Sequence, residues 1–123
     1  MNESQLRDKV KKVLAETKWY YQKISDRFTA GIPDYILCID SRFVTLELKV
    51  DARSMTPLQS YTRERIENAG GYYVCLKYIN STKTFEVDWR AKTLQPIQSF
   101  ASLKEVVDFL RRMVDEGKSS FGR

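Results

Sequence analysis

Three residues in the first half of the chain are of types that together can hold a divalent cation against a phosphate group: Asp34, in Gly31-Ile32-Pro33-Asp34, and Glu47 and Lys49, in Glu47-Leu48-Lys49. Two carboxylates offer the hard oxygen ligands that Mg²⁺ and Mn²⁺ take. A cation held there lowers the pKa of water and neutralises charge on a phosphate under attack. A lysine beside it is a mobile positive charge that can orient the attacking water or stabilise the pentacovalent phosphate. The chemistry that follows is phosphodiester hydrolysis. Glu-x-Lys alone is explained more simply by a salt-bridge ladder on a solvated strand. Pro33-Asp34 at hairpin spacing shifts the balance toward chemistry.

Two strands must position this set. In Val44-Thr45-Leu46-Glu47-Leu48-Lys49-Val50 apolar and polar residues alternate, the period of a strand with one buried face. Thr45, Glu47 and Lys49 then share one face, and Val44, Leu46, Leu48 and Val50 the other. The run Ile32 to Ile39 is also strand-like, and Asp40-Ser41-Arg42 is a turn cluster. A hairpin centred near Ser41 puts Asp34 almost opposite Lys49 and diagonal to Glu47, within one residue of register. Cross-strand neighbours lie roughly 4.5–5.5 Å apart, so the two carboxylates and the ammonium converge on one patch.

These motifs resemble the PD-(D/E)xK nuclease superfamily. With Ser54-Met55-Thr56-Pro57-Leu58-Gln59 added, the chain is similar to the VRR-NUC (virus-type replication-repair nuclease) family from the first helix to about Lys77. The resemblance implies a restriction-endonuclease-like α/β core, a central mixed sheet flanked by helices in the order αβββαβ, and Mg²⁺- or Mn²⁺-dependent cleavage of DNA. It assigns metal binding to Asp34 and Glu47, with the carbonyl of Leu48 as an extra ligand. Lys49 becomes the catalytic lysine and Gln59 lines the site. An acid near the start of the first helix often completes such a site, and Glu3 is preferred to Glu16 for that role. Many family members carry a basic residue just before the glycine. Here it is Ala30, so a phosphate contact there falls to Arg27.

Composition agrees with a small nucleic-acid enzyme. The chain of 123 residues is one domain, with a family-like core to about residue 78, a strand-and-helix extension over 79–117 and a flexible basic tail over 118–123. Fifteen aromatics (7 Tyr, 6 Phe, 2 Trp) and 42% hydrophobic residues exclude a disordered chain. The 21 Lys and Arg against 16 Asp and Glu leave a net charge of +5, which favours a polyanionic partner despite an acidic site. Lys23, Arg27, Arg53 and Arg63 are the candidates for contacting the phosphate backbone; a charged solvated face explains each equally well. No signal peptide or apolar run long enough for a membrane is present, so an intracellular protein is expected.

The chain has no histidine, which excludes Ser-His and Cys-His nucleophiles and His-containing zinc sites. Cys38 and Cys75 both sit in apolar strand patterns and are expected to be buried, reduced thiols.

Along the chain, a first helix is expected over 3–17, with Leu6, Val10, Val13 and Leu14 on one stripe. Glu3 lies on the same stripe, although a carboxylate there also simply favours the helix dipole. Trp19 to Ile24 reads either as a short strand or as an aromatic wall. Thr56-Pro57-Leu58-Gln59 is a complete capping box, a structural reason for Gln59 that competes with a catalytic one. That helix stops at Gly70-Gly71, followed by strands over Tyr72 to Tyr78 and Phe85 to Trp89. Ser102 and Glu105 cap a last helix ending at Gly117. A homodimer cutting branched DNA is expected, with Phe100 or Phe109 as the contact surface unless they complete the core. A non-cleaving module of the same fold is the alternative.

Overall fold

The computed structural model describes residues 1–25, 30–52, 54–89 and 96–121. Arg27 and Arg53 lie outside the described residues. The elements are α1 (Glu3–Ala15), β1 (Tyr20–Lys23), β2 (Tyr35–Ile39), β3 (Arg42–Val50), α2 (Pro57–Asn68), β4 (Tyr72–Ile79), β5 (Thr84–Trp89), β6 (Gln98–Phe100) and α3 (Leu103–Phe121). The described strands form one sheet in sequential order. Its pairs are antiparallel except β3 with β4, which are parallel. A parallel pair cannot be joined by a tight turn, and α2 is the crossover between them.

The expected αβββαβ order is therefore met, and Trp19 to Ile24 resolves into the short edge strand β1. β6 was not anticipated, because three residues are too few to show a period. No helix among the described residues is long and apolar enough to cross a membrane.

β3 explains why the sheet can carry a polar site at its centre. Val44, Leu46, Leu48 and Val50 join Leu6, Val10 and Leu14 of α1 and Val106, Leu110, Met113 and Val114 of α3 in one core. Thr45, Glu47 and Lys49 point to the opposite face, which α2 covers, and they are buried too. Register aligns Glu47 with Cys75 and then Asp88, and Lys49 with Lys77 and then Glu86. The second face is thus a continuous row of polar groups.

Several expectations need correction. The strand over Ile32 to Ile39 begins only at Tyr35. Pro33 has no N–H to give a ladder, and Gly31 sits at a φ of 84° that extended L-residues avoid. The hairpin turns on two residues, not three: Asp40 and Ser41 both have positive φ (47° and 71°), as the tight primed turn demands, and Ile39 pairs with Arg42. Tyr35 then pairs with Leu46, so the same register carried back one residue sets Asp34 opposite Glu47, not Lys49. Cys38 is exposed, because it lies on the α2 face beyond the part that α2 covers; Cys75 is buried and both thiols are free.

The last helix passes Gly117, where its end was expected, and runs to Phe121. A glycine inside a helix costs only about 1 kcal/mol and does not by itself end one. Phe109 stacks on Phe100 (ring centroids 5.2 Å apart) and meets Trp89 edge-on. Both phenylalanines pack against the core and remain partly exposed.

Candidate active site

Three elements deliver the site. The β2 entry brings Asp34, whose carbonyl accepts from Ile24 N–H at 2.9 Å and so ties it to the end of β1. Its carboxylate reaches across to β3, where Oδ2 accepts the Leu48 N–H at 2.8 Å. That bond fixes one acid against the backbone between Glu47 and Lys49.

The N-terminus of α2 brings Gln59. Thr56 is the N-cap, with Pro57 in the first turn; Gln59 N–H donates to Thr56 Oγ1 at 3.1 Å, and Thr56 N–H donates to Gln59 Oε1 at 2.9 Å. The same Oε1 accepts from Lys49 Nζ at 2.9 Å, while Nε2 donates to Glu47 Oε2 at 3.1 Å. Capping and site lining, which compete in the sequence, are performed by one side chain. Lys49 Nζ itself stands 4.0 Å from Glu47 Oε2.

Glu47 is only 5% exposed. Burial and the neighbouring Asp34 charge push its pKa up to about 8, against the pull of Lys49 and a hydrogen bond from Tyr73. Tyr73 OH donates to Glu47 Oε1 at 3.4 Å, and its own pKa is raised by burial and by the Glu47 charge. Cys75, next to Glu47 in the register, has its thiol pushed up to about 11 by burial and the same carboxylate. Burial and the Asp34 charge favour the neutral form of Glu47, and a divalent cation held between the two carboxylates would offset both effects. The donor set fits a hard divalent ion.

Other expected residues are placed differently. Glu3 lies with Val50, Asp51 and Ala52 around a separate depression. Among the described residues no three Asp, Glu, Cys or His side chains gather into a metal-binding group, so Glu3 is not brought to Asp34 and Glu47. Glu16 is exposed at the α1 C-cap. Lys23 is exposed on the edge strand, its Nζ donating to the Ser25 carbonyl at 3.1 Å.

Arg63, expected on a phosphate, is only 5% exposed. Its guanidinium is used inside: Asp88 at 3.2 and 3.3 Å, Glu67 at 3.3 Å, and the Tyr73 ring 5.4 Å away. Burial disfavours its charge, but Asp88 and Glu67 outweigh that and raise its pKa. It holds α2 onto the sheet, four residues along from Gln59. No sequence signal separates it from Arg65, because a helix surface and a helix core can both carry arginine until the partner strand is known. Tyr73 was missed as well: in the mostly apolar run Tyr72 to Tyr78 nothing marks its hydroxyl as facing a carboxylate.

The arrangement has counterparts among known structures. A structure titled "VRR_NUC domain" superposes with a TM-score of 0.52 at 19% identity, covering 59% of this chain and 81% of that one. The Hjc Holliday junction resolvase of Archaeoglobus fulgidus superposes with a TM-score of 0.56 at 7% identity, over 79% of this chain and 84% of the resolvase. The chain has the restriction-endonuclease-like nuclease fold. At these identities the likeness is one of fold. No family model and no curated protein matches the sequence.

Within that nuclease fold, the polar row on the α2 face is the place where the sheet offers two acids, a lysine and a glutamine together.

Proposed function

We propose that the protein is a divalent-cation-dependent endonuclease acting on DNA. The observation that carries this is the convergence of Asp34, buried Glu47, Lys49 and Gln59: Asp34 bonds the Leu48 N–H between Glu47 and Lys49, and Gln59 bonds both Glu47 and Lys49. Asp34 and Glu47 would hold Mg²⁺ or Mn²⁺, with the Leu48 carbonyl as a third oxygen. When bound, such an ion supplies charge neutralisation at the phosphate and a lowered pKa for water.

Everything else is done by the chain. Leu48 N–H holds Asp34 in place, and Gln59 fixes Glu47 through Nε2 and Lys49 through Oε1. Lys49 keeps an ammonium beside the carboxylates, where it stabilises negative charge that grows on the phosphate in the transition state. Gln59, as an acceptor, keeps the Lys49 Nζ positioned without neutralising it.

The DNA partner and a preference for branched substrates are supported by the net charge of +5 and by the resolvase among the fold neighbours. Cutting two strands of a junction requires two active sites, and a two-fold homodimer of one-site chains supplies them. The test is cleavage of four-way, forked, nicked and linear DNA with Mg²⁺, Mn²⁺ or EDTA, alongside light scattering. Metal-dependent cutting of the branched forms by a species of twice the 14.4 kDa chain mass is expected. Binding without cutting in either metal would make the chain a non-cleaving module instead.

A further inference from the structure

A depression lies between the hairpin and the C-terminal half of α2, and exposed side chains of α2 continue from it toward the helix start that lines the candidate carboxylates. The depression, of about 480 Å³, is lined by Phe43, Thr62, Arg65, Ile66 and Gly70-Gly71, with no carboxylate among them. Gly71 keeps it open: a Cβ there would stand 3.0 Å from both the Phe43 ring and Ile66 Cγ2. Phe43, aligned across the ladder with Cys38 and Tyr20, is half exposed, and Tyr20 is 61% exposed.

The Thr62 and Arg65 stripe continues one turn toward the site through Tyr61 and Leu58, which are 59% and 53% exposed. The Arg65 guanidinium sits over the Tyr61 ring, 5.8 Å from its centroid. Leu58 abuts the loop before Asp34 so closely that a Cβ on Gly31 would lie 2.9 Å from Leu58 Cβ. The next residue, Gln59, bonds Glu47 and Lys49. The exposed stripe of α2 therefore ends one residue before the side chain that bonds the candidate site.

Exposed aromatic rings interleaved with a cation ask for a ligand that is flat and apolar at intervals and negatively charged between. An unpaired nucleic-acid strand has that form: its bases stack on aromatic rings and its phosphates meet arginine. A duplex hides the base faces. We propose that this surface carries a single-stranded arm of the substrate toward the site, with Tyr61 and Phe43 as stacking platforms and Arg65 on the phosphates. The proposal rests on the nuclease reading above and narrows it to nucleic acid with an unpaired segment.

The experiment is metal-free fluorescence anisotropy of the full chain with a labelled oligothymidylate and, separately, a labelled blunt duplex. Tyr61→Ala is expected to weaken oligothymidylate binding roughly tenfold and duplex binding less than about twofold, with Tyr61→Phe restoring the parent affinity. Phe43→Ala should act in the same direction. Both positions are exposed in their own right, and a thermal melt matching the parent confirms an intact fold.

Equal loss on both ligands, or no loss on either, would overturn the proposal. So would a parent dimer that Tyr61→Ala dissociates, because the surface would then be covered by a second copy. The two claims fail separately. A chain that binds single strands through Tyr61 yet cuts nothing loses the nuclease reading and keeps the stacking surface, whereas one that cuts DNA with Tyr61→Ala affinities unchanged does the reverse.

Discussion

Lys49 Nζ donates to Gln59 Oε1 at 2.9 Å, and that same oxygen accepts the Thr56 N–H that caps α2. Lys49 is thus located by a helix N-terminus, and the helix is located on the sheet by Arg63. Folding and positioning are one task here, and substitutions can separate them.

Thr56→Ala removes the cap oxygen but leaves Gln59 its bonds to Lys49 and Glu47. It is expected to cost about 1 kcal/mol of stability and little cleavage. Gln59→Ala should cost a similar amount of stability while lowering the single-turnover rate at least roughly tenfold, because Lys49 loses its acceptor. Urea unfolding and cleavage rates measured on both variants check this, and equal rates would remove Gln59 from the site.

Lys49→Ala should cut poorly yet still bind Mn²⁺. Its ammonium stabilises charge and is not a ligand. Calorimetric titration decides, since loss of Mn²⁺ binding along with activity would mean that Lys49 shapes the carboxylate pair itself.

Glu47 gives the metal-free protein a pH-dependent stability. Its folded pKa of about 8 lies above the ordinary value of 4.5, so the folded state binds its proton more tightly than the unfolded chain does. The resulting stability is present in full below pH 4.5 and is lost as pH rises to about 8. Between those limits the melting temperature in EDTA should decline for the parent and decline less for Glu47→Gln. Melts across this window check it. Parallel curves for the two proteins would show that Glu47 ionises freely.

Arg63→Ala should destabilise the fold by roughly 3 kcal/mol, because it takes the cation from Glu67, whose side chain is only 9% exposed, while half-exposed Asp88 loses less. The salt dependence of DNA binding should keep its slope. A slope reduced by about one would instead place Arg63 on a phosphate.

What could be read from the sequence was what local pattern controls. The alternation around Glu47 and the capping box at Thr56 are set by neighbours in the chain, and both stand in the structure. The pairing of Asp34 with Glu47 was misjudged by register, because Asp40-Ser41 has no glycine to announce a two-residue primed turn. Glu3 shares a stripe with Leu6, yet the stripe says nothing about which depression the helix start faces. Arg63 and Tyr73 depend on which strand α2 lies against, and that is decided by the β3–β4 crossover, a relation no window of sequence contains.

The most direct measurement is single-turnover cleavage of a forked DNA in Mn²⁺ by the parent, Asp34→Asn and Glu47→Gln side by side. The parent is expected to cut, and each variant to lose activity while its melting temperature in EDTA stays level or rises, since removing one carboxylate relieves the repulsion of the other. A variant that retains the parent rate would show that phosphodiester hydrolysis, if present, is not performed by this pair.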